Sequence, residues 1–115
     1  MNFHPTPEMV AQAYEYLRAS PPFNKKGLLP HSDSVVFQVT KHKNLGAEFS
    51  YLDGVPCIAI SLHAVGRTHS LIEHVAHEMV HFALDRRGIK TDHGTPFKKL
   101  AKRVCDYHGF DLKQF

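Results

Sequence analysis

Residues 70–88 read SLIEHVAHEMVHFALDRRG. Leu71, Ile72, Val75, Ala76, Met79, Val80, Ala83 and Leu84 recur at helical spacing and leave little of the circumference polar, which predicts a largely buried helix. Ser70 with Glu73 three residues on makes a capping box, and Gly88 after Arg86 and Arg87 is a C-terminal stop. Polar side chains are expensive inside such a helix unless they have partners. His77, Glu78 and His81 therefore need a reason to be there.

Outward from this helix the chain supplies a scaffold. Upstream, TPEMVAQAYEYLRAS has Thr6 as N-cap, Pro7 at the first helical position, and Met9, Val10, Ala13, Tyr14 and Leu17 as its apolar stripe. The prolines and glycine of ASPPFNKKGLLPHSD, residues 19–33, predict a loop. Three alternating segments follow, with Val35, Phe37 and Val39, then Ala47, Phe49 and Tyr51, then Ile58, Ile60 and Leu62 on one face. Asp53-Gly54 marks a tight turn between the last two. These segments are expected to form a three-stranded antiparallel meander. Downstream, Thr95 is the expected cap of a final helix with Pro96 at its first position and an inward stripe of Phe97, Leu100, Ala101, Val104 and Cys105. The expected fold is α+β, one small domain over residues 1–115, in the order helix, three strands, helix, helix.

The totals agree with that scale. A chain of 115 residues with 43% apolar content can bury a core without covalent staples. Two cysteines without a CxxC pair argue against a disulfide framework or a cysteine zinc ribbon. The opening MNFHPTPEMVAQ has neither a charged leader nor an apolar core, and no run is long enough to span a bilayer. A soluble, cytoplasmic monomer is expected. The net charge of +3 predicts at most weak attraction to polyanions, centred on Lys98, Lys99, Lys102 and Arg103. The simpler reading of those four is a solvated helix face.

Residues four apart on a helix lie one above the other, so His77 and His81 can direct two imidazoles at one ion. Catalytic zinc commonly takes three protein ligands and keeps a fourth position for water. His93 is the best-placed third ligand, because the RRGIKTD turn lets the chain double back just before the last helix. His74 and Cys57 are the rivals for that place. Glu78, about 100° around the helix from His77, suits a base beside the metal rather than a ligand. The chemistry expected of this set is peptide-bond hydrolysis by a metal-activated water, with one Zn2+ per chain. A longer zincin pattern is excluded, since it would need glycine at Leu84 and a ligand at Arg87. Asp85 and Asp92 are candidates to orient ligand imidazoles. Tyr51, Tyr107 and His108 are candidate donors to a developing oxyanion.

HEMVH followed by DHGTPFKKLAKRV resembles the SprT-like family of small zinc metallopeptidases, with His93, Gly94 and Phe97 matching an H-G-x-x-F context in order and spacing. The likeness covers nearly the whole chain. It implies a minimal zincin-like fold, zinc on His77, His81 and His93, Glu78 as catalytic acid and base, and a protein or peptide substrate. It also suggests a cleft between the sheet edge and the HExxH helix, where the strand PCIAISL would pair with an extended substrate. The two cysteines of these 115 residues do not supply the zinc ribbon found in some members. The competing function is a binding module in which a structural metal supports contact with nucleic acid or protein.

Overall fold

The computed structural model describes residues 4–43, 46–63, 68–90 and 92–115, and only the backbone of Thr68 and His69. Helix α1 spans Pro7–Arg18, and the Thr6 hydroxyl accepts the Met9 N–H as the sequence predicts. A short 3-10 turn at Ser32–Ser34 leads into strands β1 (Val36–Thr40), β2 (Ala47–Leu52) and β3 (Val55–Ser61). Helices α2 (Thr68–Arg86) and α3 (Thr95–His108) follow. The class is α+β, with three α-helices and one sheet among the described residues.

The sheet departs from the expected meander. Its order is β1-β3-β2: β2 and β3 form the antiparallel hairpin, turning on Asp53 and Gly54 with positive φ, but β1 pairs with β3 in parallel. Strand directions still alternate along the chain. What changes is who sits in the middle. VPCIAIS is the most apolar of the three segments, and the central place pairs both its backbone edges and leaves Cys57, Ile58, Ile60 and Ser61 buried.

One face of the sheet packs on the helices. Ile58 and Ile60 join Val10, Tyr14, Leu17, Val75, Met79, Val80 and Phe82 in a single core, and Phe49 stacks on Phe82 at 4.9 Å between ring centroids. Helix α2 is the hub, touching α1, α3, β2 and β3, which is why its apolar residues run almost all the way round. It begins at Thr68, so Ser70 lies inside the first turn instead of capping it. Its end is as expected. Gly88 takes φ 71°, its N–H bonds Asp85 O, and Ile89 N–H reaches back to Leu84 O, the paired closure that a left-handed glycine permits.

The loop before β1 is tied down by its polar groups. Tyr14 Oη donates to Pro30 O at 2.6 Å, Arg86 Nε donates to Leu28 O at 2.9 Å, and Glu15 accepts both the Ser32 N–H and the Arg18 guanidinium. The Arg18 guanidinium above all holds the Glu15 carboxyl below its ordinary value, opposed by burial and assisted to a lesser degree by the Ser32 backbone. Its contribution is therefore present above the unfolded value of 4.5 and lost as pH falls through the lower folded value. Glu15→Gln is expected to cost about 1 kcal/mol in urea unfolding at pH 7. The gap to wild type should close on acidification.

Candidate metal centre

The HExxH spacing does what helix geometry requires. His77 and His81 stand one turn apart on α2, half-buried, and His93 meets them from the connection into α3. His93 Nε2 lies 3.2 Å from His77 Nε2 and 3.2 Å from His81 Nε2. Imidazoles bound at about 2.0–2.1 Å around a tetrahedral ion place neighbouring nitrogens roughly 3.3 Å apart. The three nitrogens are thus spaced to hold a metal ion, and among the described residues this trio is the group of His, Cys, Asp and Glu that can do so.

The proton on His77 supports that reading. Its Nδ1 sits 2.6 Å from the Phe115 carbonyl oxygen, which can only accept, so Nδ1 carries the hydrogen. Nε2 is left with its lone pair aimed at the other histidines. Burial lowers the pKa of His77 to about 4, against a raising effect of the Phe115 carbonyl. The ring is neutral at pH 7, the form a metal binds.

The third histidine is set by a local lock. Asp92 Oδ1 accepts the Gly94 N–H at 3.0 Å, Gly94 caps α3, and its carbonyl takes the Lys98 N–H. A Cβ on Gly94 would lie 2.8 Å from Asp92 Oδ1, so a larger residue there would push that carboxylate out of its place. The cap is therefore Gly94 and not Thr95, which becomes the first helical residue. Phe97, 5% exposed, lies one turn into α3 and touches every imidazole, with centroids 5.0 Å from His77, 4.7 Å from His81 and 4.7 Å from His93. One apolar ring thereby fixes three polar ones.

Glu78 is 6% exposed and borders, with His77 and His74, a cavity of about 240 Å3 that also meets Glu73, Ala47 and Gln114. Burial pushes its carboxyl up to about 7, with hydrogen bonding to the Phe49 backbone pulling the other way. A carboxyl poised near neutrality is suited to accept and return a proton. The same burial costs stability in metal-free protein. A raised folded value means the carboxyl's contribution is whole below the unfolded 4.5 and is lost as pH rises through about 7. In chelator-treated protein, Glu78→Gln should match wild type near pH 4.5 and exceed it by about 3 kcal/mol at pH 8, measured by denaturant titration.

Other expected site residues lie elsewhere. Cys57 pairs with Val36 and Ser50 across the sheet and stays outside the core cluster, because strand alternation turns Ile58 and Ile60 toward the helices instead. It is not a third ligand. Asp85 accepts the Tyr51 hydroxyl, and Asp92 is taken up by Gly94 and Lys90. The group that orients a ligand ring is the Phe115 carbonyl, a backbone atom that no side-chain motif could announce. Tyr107 packs on His108, whose ring stacks on Phe110.

No protein-family model, curated protein or solved structure matches this chain. No helix among the described residues is long and apolar enough to cross a membrane.

Proposed function

We propose that this chain is a zinc-dependent endopeptidase of SprT-like type. The observation that carries the reading is the convergence of His77, His81 and His93 beside a buried Glu78 that shares a cavity with His77. A bound zinc ion would supply Lewis-acid polarisation of a carbonyl and of water at neutral pH. The chain's own groups do the rest. The Phe115 carbonyl keeps the His77 proton on Nδ1, and Phe97 holds the imidazoles in register. Glu78 takes a proton from the attacking water and gives it to the departing amine, so the carboxylate is regenerated each cycle.

Substrate alignment falls to β2. The expected role of PCIAISL as a pairing strand is corrected by the sheet order, since both edges of β3 are occupied. β2 packs on α2 and has one edge not taken by β3, and Ala47 at its start borders the Glu78 cavity. An extended peptide laid along that edge would run past the histidines, held by backbone hydrogen bonds that tolerate varied side chains.

His93 is exposed, and among the described residues three side chains converge with no fourth, which favours a catalytic over a closed structural site. On α3, Lys98, Lys99, Lys102 and Arg103 are exposed, but Lys102 is paired with Asp106 at 2.7 Å, so weak nucleic-acid contact is the lesser role. The test is cleavage of casein, with and without DNA, by protein carrying one zinc per chain. Fragments that vanish with chelator and return with zinc are expected. Fully loaded protein that cuts nothing under either condition would transfer the site to a binding module.

A further inference from the structure

His77 separates two cavities of opposite character. On the Glu78 side the walls are Glu73, His74, Glu78 and Gln114, with Gly46 and Ala47. On the other side lies a cavity of about 390 Å3, walled by His77 and His93, Phe97 and Ala101 of α3, and Leu112 and Phe115, with Lys98 at its rim. Its volume falls within the roughly 300–1,000 Å3 usual for small-ligand sites.

The second cavity is built by the chain's return. Gly109 ends α3 with φ 77°, its N–H closing on Cys105 O at 2.8 Å. A turn then forms in which Asp111 accepts the N–H groups of Lys113 and Gln114. This brings Phe115 to 5.3 Å from the His77 ring and 6.4 Å from Phe97, ring to ring. Ala101 stands one helical turn beyond Phe97. A larger residue there would fill the space, and Leu112, 48% exposed, leaves its outer wall open. Apolar walls standing in water beside a metal-binding trio gain free energy when an apolar group displaces that water.

Resting on the peptidase reading, we propose that this cavity receives a large apolar side chain, of leucine to phenylalanine size, from the substrate residue adjoining the cleaved bond. The carbonyl of that residue reaches the histidines while its side chain drops between α3 and the returning segment. The polar cavity on the Glu78 side is left for water and proton transfer.

The test uses zinc-loaded protein and the hydroxamates of glycine, leucine and phenylalanine, whose metal-binding head is constant while the side chain varies. Leucine and phenylalanine hydroxamates are expected to bind tenfold or more tighter than the glycine compound by calorimetry. Leu112→Glu places a charge at a half-exposed position outside the buried core, and it should bring that ratio toward one with zinc stoichiometry unchanged. Ala101→Phe should do the same by filling the space. Equal affinities for the three compounds in wild type, or an unchanged ratio in Leu112→Glu, would overturn the assignment. The two readings fail separately. A side-chain preference without any casein cleavage sinks the peptidase and keeps the pocket, whereas cleavage without preference keeps the peptidase and sinks the pocket.

Discussion

Glu78→Gln is expected to slow casein cleavage by about 10²–10⁴-fold, the range usual for losing a positioned acid or base, while one zinc remains bound per chain. Glutamine keeps the size of the side chain and an oxygen to accept from the Phe49 backbone, so the interior of α2 need not rearrange. It cannot take a proton at neutral pH. The metal trio does not include Glu78, so zinc stoichiometry should be untouched. The same substitution should make metal-free protein more resistant to denaturant above pH 7, because a carboxyl held up to about 7 by burial is a liability once ionised. Lost activity with gained stability is a joint signature that simple damage to the fold would not give. A variant that cuts at the wild-type rate would remove Glu78 from the reaction.

His93→Ala is expected to weaken zinc binding a hundredfold or more, by competition with a chromophoric chelator. Four-ligand zinc sites carry apparent binding free energies of about 10–16 kcal/mol, or about 3 kcal/mol per ligand, and each 1.4 kcal/mol is tenfold. His74→Ala and Cys57→Ser should bind zinc as wild type does, since neither residue belongs to the converging set. Loss of zinc in His74→Ala with retention in His93→Ala would reassign the third ligand.

Features written in local geometry were legible in the sequence. Four-residue spacing on a helix makes the His77 and His81 pairing nearly unavoidable, and a short turn after Gly88 limits where His93 can go. Asp53-Gly54 named its hairpin for the same reason. Strand order was not legible, because alternation says which face a residue takes and nothing about which neighbour its backbone meets. The cap of α3 was misplaced by one residue because Thr95 has the better side chain, whereas the fold uses Asp92 against a bare Gly94. The Phe115 carbonyl was invisible in principle, since every residue carries the same backbone acceptor.

The three histidines are divided between two bodies, His77 and His81 on one helix and His93 at the threshold of the next. A captured ion would thus rivet α3 to the hub of the core, and Phe97, pressed on all three rings, would loosen with it when it left. Ions that bind only the folded form raise the melting temperature in proportion to the logarithm of their excess. The heat resistance of this small domain would then serve as a gauge of zinc supply, and scarcity would tell on its endurance as well as its chemistry.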